Sequence, residues 1–349
     1  MSDGSTIEWT DATWNPITGC TLVDDGCRNC YAAELATTRL KNHPSRKGLA
    51  RRNADGVAKF TGEVRFNEQW LDEPLRLRKP RMVFVCAHGD LFHPDVPDEW
   101  IDRVFAVMAL ASQHTFQVLT KRPDRAREYL TEILVQDRWW IAGDRMAAEG
   151  RLPDFHYSGG FPFEALPNVW LGTSVSDQAS AEARIPDLLA TPAAVRFVSA
   201  EPLLGKIVFD CLDHTTEDEF GRFPCYLDAL TGRVTIGDFA DQELDASDQL
   251  DPGLDWIIVG GESGRNARPM HPDWARAIRD QCQAAGTAFF FKQTGGWTAW
   301  QETGSPPYWR NAYTGEEVDR HILFPTDVSD HRDWDDGPNF IPETSHAAF

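Results

Sequence analysis

Three cysteines near the start of the chain are close enough together to bind one metal centre. Six residues separate Cys20 from Cys27, and two separate Cys27 from Cys30. Three cysteines can hold an iron-sulfur cluster and leave one iron open for another ligand. A structural zinc ion needs four protein ligands, so zinc would recruit a distant group such as His43 or His88. A disulfide would leave one thiol over, so the spacing alone leaves the iron-sulfur, zinc and redox interpretations open.

The residues around these cysteines predict a turn followed by a helix. Residues 24–26, Asp-Asp-Gly, favour a reversal of the chain that directs several sulfur atoms to one point. Helix-forming residues begin at Tyr31, directly after Cys30. The partial positive charge of a helix N-terminus stabilises a nearby thiolate, so this arrangement suits metal binding. We call residues 20–30 the cysteine loop.

The overall composition predicts a soluble, cytoplasmic protein with no membrane span. The chain has 349 residues, enough for one barrel with insertions or for two domains. It has no run of eighteen apolar residues, and its N-terminus lacks the features of a signal peptide. Seven cysteines without a regular framework suit a reducing compartment.

Charge is distributed unevenly along the chain. The net charge of -20 argues against broad binding to nucleic-acid phosphates. Much of the acidity lies in residues 206–254 and 316–336, whereas residues 39–81 contain twelve Lys or Arg and five Asp or Glu. This basic segment is either a solvated surface or a patch for an anionic substrate beside the cysteine loop.

The elements that must position the cysteines alternate between strands and helices. Seven apolar segments of strand length occupy residues 12–17, 81–87, 116–120, 168–173, 195–199, 256–259 and 288–291. Helices are predicted between them at residues 97–112, 123–134, 178–189 and 272–284. Near-continuous apolar strands are typical of parallel sheets that helices cover on both faces.

These elements predict an α/β fold, a partial or complete β/α (TIM-like) barrel of parallel strands with acidic insertions. A doubly wound sheet is the competing architecture. The barrel would span residues 1–300, with insertions at about 136–167 and 206–254. Residues 301–349 would form a C-terminal extension.

Polar segments follow six of the predicted strands, at the barrel end where active sites lie. They are residues 89–93, 120–123, 172–177, 199–205, 260–265 and 292–296. Each has a local structural explanation, such as a turn glycine or a surface charge. Together they predict one polar mouth close to the cysteine loop, suited to an amphoteric, polyhydroxylated ligand.

The motifs at these positions resemble the radical S-adenosylmethionine superfamily. The closest resemblance is to a phage and bacterial family of three-cysteine-motif proteins in the branch that includes spore photoproduct lyase. It rests on residues 14–16 (Trp-Asn-Pro), 26–32 (Gly-Cys-Arg-Asn-Cys-Tyr-Ala), 90–93 (Asp-Leu-Phe-His), 119–123 (Leu-Thr-Lys-Arg-Pro), 199–203 (Ser-Ala-Glu-Pro-Leu) and 259–264 (Val-Gly-Gly-Glu-Ser-Gly). Most of the superfamily has three residues between its first two cysteines, whereas this chain has six.

The resemblance implies a cofactor, a reaction and a set of site residues. A 4Fe-4S cluster on Cys20, Cys27 and Cys30 would bind S-adenosylmethionine and generate a 5'-deoxyadenosyl radical. Lys121 would join the catalytic set, with Arg122, Arg265 and Lys292 as further candidates for an anionic group. The implied cofactor-binding residues are Tyr31, Asp90, Thr173, Ser174, Glu201, Gly260, Gly261 and Glu262.

The resemblance also implies partners. A nucleic acid or nucleotide is the leading substrate, and flavodoxin or ferredoxin would supply electrons. A small metabolite or a peptide is the alternative substrate, and a non-catalytic zinc or iron-sulfur module that binds a partner is the alternative of another class. The sequence does not predict the oligomeric state.

Overall fold

The centre of the molecule is a sheet of seven parallel strands. The computed structural model describes residues 2–5, 7–152, 165–218, 221–223, 225–236, 252–300 and 308–319. The parallel strands are β1 (Ala12–Trp14), β2 (Met82–Val85), β3 (Thr115–Thr120), β4 (Val169–Val175), β5 (Val195–Ala200), β6 (Trp256–Gly260) and β7 (Ala288–Gln293). They lie side by side in chain order, and the short strand Ser2–Asp3 pairs antiparallel with β1. The sheet forms half of a TIM-like barrel, which confirms the predicted fold class. The strand order never reverses, unlike that of a doubly wound sheet.

Helices in the described part of the chain surround this half-barrel. They are α1 (Tyr31–Thr37), α2 (Glu73–Arg76), α3 (Asp98–Leu110), α4 (Pro123–Leu130), α5 (Val135–Ala148), α6 (Gln178–Leu189) and α7 (Pro272–Ala285). Short 3₁₀ turns occupy Asp25–Cys27 and Glu68–Trp70. The α-helices alternate with the strands along the chain, as expected from the sequence.

Local sequence signals fix the ends of several helices. Before α6, the Asp177 side chain accepts a hydrogen bond from the Ser180 amide at 2.9 Å, and the Ser180 hydroxyl accepts one from the Asp177 amide at 3.0 Å. This reciprocal capping box satisfies amides that the first helical turn cannot pair. His271 caps the start of α7, and Gly286 ends it with a left-handed φ of 79°.

The two faces of the sheet pack against different partners. Outward side chains such as Val83, Val198 and Ile257 join the helices in one large core. Inward side chains form a smaller aromatic cluster, in which the ring of Trp9 lies 4.8 Å from that of Phe84. This cluster fills the lower part of the half-barrel. The barrel interior is therefore apolar below and available for a site above.

Part of the first predicted insertion is helical in the structure. Residues 136–148 belong to α5, which packs against α3: the rings of Trp139 and Phe105 stack 4.7 Å apart. The indole of Trp139 also donates to the Tyr129 hydroxyl at 2.8 Å. Burial of this aromatic side chain makes α5 part of the helical layer. Residues 153–164 of the predicted insertion lie outside the described residues.

The acidic insertion contains small antiparallel sheets in its described part. Strands Leu212–Asp213, Cys225–Asp228 and Arg233–Ile236 pair with one another, and Thr216–Asp218 pairs with Gly221–Phe223. Phe209, Leu212 and Leu227 of this segment are fully buried in the main core. The insertion thus shares the core of the barrel, and residues 237–251 lie outside the described residues.

Further antiparallel pairs lie near the cysteine loop and the C-terminus. Ile17–Thr18 pairs with Arg65–Phe66, and Ala50–Arg52 pairs with Ala58–Phe60. A three-stranded sheet of Trp297–Trp300, Tyr308–Asn311 and Glu317–Asp319 spans the predicted boundary at residue 300. Residues 320–349 of the predicted extension lie outside the described residues.

The close packing inside the barrel gives a first prediction. A Cβ atom at Gly172 on β4 would lie 2.5–2.7 Å from three ring carbons of Phe197, which is fully buried. Gly172→Ala should therefore lower the free energy of unfolding by about 1–3 kcal/mol in urea denaturation. Gly205→Ala is the matched control, because its Cβ would lie 3.6 Å from the nearest atom. Equal stability of the two variants would contradict this packing.

Candidate functional site

A cavity of about 1050 Å³ opens inside the half-barrel at the carboxyl ends of its strands. The floor includes the apolar side chains of Trp9, Phe84 and Leu119, and the cysteine loop forms part of the wall. Most of the predicted site residues line this one cavity: Cys20, Cys27, Cys30, Tyr31, Asp90, Lys121, Ser174, Glu201, Gly261 and Glu262. Pockets of this size accept nucleoside-sized ligands.

The three cysteine thiols face this cavity together. Burial and the nearby Asp90 outweigh the opposing effect of Arg122 and raise the pKa of the Cys20 thiol to about 12. Burial also raises the pKa of Cys30, although backbone amides at the start of α1 oppose it. Cys30 interacts electrostatically with both Cys20 and Cys27. Because thiols must lose protons to bind a metal, any metal affinity of this set rises with pH.

The carboxylate of Asp24 fastens the cysteine loop to the barrel. Its Oδ1 lies 3.1 Å from Lys121 Nζ, and its Oδ2 lies 2.5 Å from Arg184 Nη2 on α6. Burial by itself would raise the pKa of Asp24, but Lys121 and Arg184 outweigh it and hold the pKa at about 2. A Cβ at the neighbouring Gly26 would lie 2.2 Å from Ser176 Oγ and 2.8 Å from Lys121 Nζ. A larger residue at position 26 would displace the Ser176 hydroxyl and the Lys121 ammonium group.

A second set of polar contacts holds the other end of the cysteine loop. Asn29 Nδ2 donates to Glu262 Oε2 at 2.9 Å, and Arg268 Nη2 donates to Glu262 Oε1 at 2.6 Å. Arg268 also pairs with the carboxylate of Asp25. Burial would raise the pKa of Glu262, but the hydrogen bonds from Arg268 and Asn29 outweigh it and lower the pKa. Glu262 thus binds protein donors in addition to lining the cavity.

Asp90 is buried after β2, where several donors bind its carboxylate. It accepts hydrogen bonds from Thr120 Oγ1 at 2.7 Å, Arg122 Nη1 at 2.7 Å and the Lys121 amide at 3.2 Å. Arg122 Nη1 also lies 3.7 Å from Cys20 Sγ. Asp90 and Arg122 therefore link the ends of β2 and β3 to the first cysteine.

Glu201 presents a carboxylate that is still accessible from the cavity. Its Oε1 lies 2.9 Å from Lys292 Nζ, its Oε2 accepts from Ser199 at 3.1 Å, and the side chain is 15% exposed. Ser174 Oγ donates to the Glu201 backbone oxygen at 3.0 Å. Unlike Asp90, this carboxylate retains free acceptor positions toward the cavity, because an ionised carboxylate accepts about four hydrogen bonds.

Tyr31 and Gly261 complete the predicted part of the wall. The Tyr31 hydroxyl lies inside the protein and donates to the Ala87 oxygen at 2.6 Å, while 48% of the side chain is exposed. Its ring is therefore a partly open surface of the cavity. A Cβ at Gly261 would lie 2.0 Å from Thr294 O, so glycine permits two backbone segments to meet there.

Two predicted site residues lie behind the wall. Thr173 is fully buried, and its hydroxyl donates to Thr120 O at 3.0 Å. Neighbouring side chains on a strand point to opposite faces, so Thr173 points away from the cavity. Gly260 has no side chain to contribute, but a Cβ there would lie 2.3 Å from Glu201 Oε1. Thr173 therefore joins two strands, and Gly260 makes room for Glu201.

The site contains important residues that the sequence analysis missed. Arg184 and Arg268 hold the cysteine loop, yet they lie outside the motifs after the strands. Lys121 and Lys292, predicted to bind an anion, are paired with Asp24 and Glu201, and the predicted Arg265 is exposed and absent from the cavity wall. The only local signal for these pairs was the Asp-Asp sequence before Gly26.

The Asp24 ion pairs give a second prediction. Asp24→Asn should lower the free energy of unfolding by roughly 2 kcal/mol at pH 7 in urea denaturation, because the native state holds the pKa near 2 against 3.8 for the unconstrained group. The loss should be constant above about pH 4 and shrink as the pH falls toward 2, where native Asp24 is protonated.

Asp25→Asn is the matched control for this measurement. Asp25 is the adjacent carboxylate and is 66% exposed, so solvent screens its pair with Arg268 and its loss should matter less. A pH-independent difference between wild type and Asp24→Asn would contradict the role of the charge.

Comparison with known proteins identifies a family for the whole barrel. No curated protein and no solved structure matches the chain significantly. The model of one family, described as "Protein of unknown function (DUF5131)", matches residues 4–327. That range includes the cysteine loop, all seven parallel strands and both small antiparallel sheets of the acidic insertion. The chain therefore belongs to the DUF5131 family.

Proposed function

We propose that this protein is a radical S-adenosylmethionine enzyme whose Cys20, Cys27 and Cys30 hold a 4Fe-4S cluster. The observation that carries the proposal is that all three cysteines line one cavity at the carboxyl ends of parallel strands. Active sites of β/α barrels lie at this end. When bound, such a cluster supplies the electron that cleaves S-adenosylmethionine to a 5'-deoxyadenosyl radical.

The donor set fits a cluster in kind and number. Thiolates are the usual ligands of iron-sulfur clusters, and three of them leave one iron open. Among the described residues, no three His, Cys, Asp or Glu side chains are close enough to hold a single metal ion. The ligands of a cluster can lie farther apart than the ligands of a single ion, because each thiolate binds a different iron. The position of the three thiols around one cavity supports the proposal.

The surrounding residues have separate tasks in this proposal. The ion pairs of Asp24 and Glu262 keep the cysteine loop over the cavity. The apolar floor limits the contact of reactive species with water, which protects them from side reactions. Glu201 accepts hydrogen bonds from hydroxyl or ammonium groups of S-adenosylmethionine, and the Tyr31 ring packs against it. Asp90 acts indirectly, by fixing Arg122 beside Cys20.

The proposal extends to substrate, partner and location. A nucleic acid or nucleotide is the proposed substrate, supported by the cationic side chains of Arg39 and Arg46 on the cavity wall. A flavodoxin or ferredoxin is the proposed electron donor, and the cytoplasm is the proposed location. Within the described ranges, none of the helices combines the length and the apolar character needed to cross a membrane.

Substitution of the cysteines tests the cluster. Cys20→Ala, Cys27→Ala and Cys30→Ala should each remove the brown colour and the paramagnetic resonance of anaerobically reconstituted protein. They should also abolish release of 5'-deoxyadenosine from S-adenosylmethionine on reduction, because each thiolate binds a different iron.

Cys211→Ala is the control, since Cys211 lies in the acidic insertion and is absent from the cavity wall. It should retain full iron content and activity. Wild-type protein that binds zinc without colour, or full iron in all three loop variants, would overturn the proposed function. The first result would favour a non-catalytic partner-binding module.

Substitution of Glu201 tests S-adenosylmethionine binding. Glu201→Gln should weaken the affinity for S-adenosylmethionine about tenfold, because a neutral amide is a weaker acceptor than a carboxylate. Equilibrium binding to the cluster-loaded protein measures the change. Glu63→Gln is the control, because Glu63 is exposed and lies outside the cavity wall, and it should leave the affinity unchanged. Unchanged affinity in Glu201→Gln would remove this residue from the binding site.

A further inference from the structure

One corner of the cavity collects nitrogen-bearing side chains that have no part in holding the proposed cluster or S-adenosylmethionine. Arg39, His43, Arg46 and His88 all line this corner, which we call the cationic corner. Burial raises the pKa of the nearby Tyr31, and Cys30, Glu201 and Arg46 are close enough to it to influence that pKa. The cationic corner therefore lies beside the cysteines and opens to the same cavity.

Arg46 is the central side chain of the cationic corner. It is only 8% exposed, and its guanidinium donates through Nη1 to Ser45 Oγ. No ion pair links Arg46 to any other described residue, and its buried Nε has no hydrogen-bond partner there. Burying a guanidinium without a carboxylate is unfavourable. An anion from outside the protein would compensate this charge.

His88 adds a second unpartnered group to the cationic corner. Its buried Nδ1 has no hydrogen-bond partner among the described residues. Burial and, to a smaller extent, the nearby Arg46, Arg39 and His43 together lower the pKa of His88 to about 3. The imidazole is therefore neutral, and it can donate one hydrogen bond without adding to the positive charge. Two guanidinium groups and neutral imidazoles are a suitable donor set for a phosphate.

Aromatic side chains lie on the same wall. Trp70 and Phe60 line the cavity, and the ring of Trp70 lies 5.3 Å from that of His43. A flat base or sugar attached to a phosphate can pack against such rings. The combination of an anion site with aromatic surface is typical of nucleotide binding.

We propose that the cationic corner binds a phosphate group of the substrate, and that the substrate is a nucleotide small enough to enter the cavity. This inference rests on the proposed function in treating the cavity as the reaction site. A single nucleotide suits the enclosed, buried position of Arg46, whereas a long strand would meet a chain with a net charge of -20.

Equilibrium binding to the full-length protein tests the assignment. Inorganic phosphate, uridine 5'-monophosphate, uridine and succinate are the probes, with a short single-stranded DNA for comparison. The monophosphate should bind at least about tenfold more tightly than uridine, because a charged hydrogen bond adds about that much. Arg46→Gln and Arg39→Gln should each remove most of this difference, and Arg46→Lys should retain part of it.

Arg51→Gln is the matched control, because Arg51 is exposed in the same basic segment and does not line the cavity. Melting temperatures establish that each variant is folded, and Arg39→Gln serves if Arg46→Gln does not fold, since Arg39 is exposed. The proposal would be overturned if uridine and its monophosphate bind equally, if succinate replaces phosphate, or if DNA binding depends on Arg51. Loss of S-adenosylmethionine affinity in Arg46→Gln with phosphate affinity retained would also overturn it.

Iron content and 5'-deoxyadenosine release are measured on the same samples. If phosphate binding depends on Arg46 but no cluster forms, the proposed reaction fails and the phosphate site stands. If the cluster forms and the monophosphate does not bind, only the phosphate site fails.

Discussion

The arrangement of the site depends on a half-buried carboxylate between two cations. Asp24 pairs with Lys121, which follows β3, and with Arg184 on α6, so one side chain joins the cysteine loop to two neighbouring βα units. The loop has little apolar surface of its own to bury, since Leu22 and Val23 are exposed. Charge therefore replaces hydrophobic packing as the force that orders the loop. Removing Asp24 would leave the largely buried Lys121 and Arg184 without compensation, so the set favours this one position of the loop.

The polar residues after the strands have a different role from the one that their positions suggest. At the mouth of a barrel, such residues are usually assigned to a ligand. Here Lys121, Glu262 and Asp90 bind the cysteine loop or each other, and Glu201 is the predicted carboxylate that keeps free acceptor positions toward the cavity. The strand ends thus build the support for the cysteines first, and only a few groups remain to contact a substrate.

The sequence predicted the half-barrel well because its signals are local. Apolar segments of strand length and capped helices such as α6 depend on neighbouring residues, and the predicted bounds of α6 agree with the structure. The contacts of Asp24 with Arg184 and of Asp25 with Arg268 join residues 160 and 243 positions apart, so no local pattern announces them. The strands in the acidic insertion were missed for another reason: their many acidic residues are typical of exposed loops, whereas Leu212 and Leu227 are buried.

The cavity has two chemically distinct sides, and this separation limits what it can bind. Glu201 offers a carboxylate near the cysteines, while Arg46 offers a guanidinium without a described ion-pair partner. Tyr31 interacts with both. Lys292 already compensates the charge of Glu201, so among the described residues it is the Arg46 side that lacks a counter-charge. S-adenosylmethionine carries ammonium and hydroxyl groups that suit the Glu201 side, and a phosphorylated substrate suits the Arg46 side. Tyr31 lies within electrostatic range of both groups, so its ring is the surface that the two proposed ligands would share.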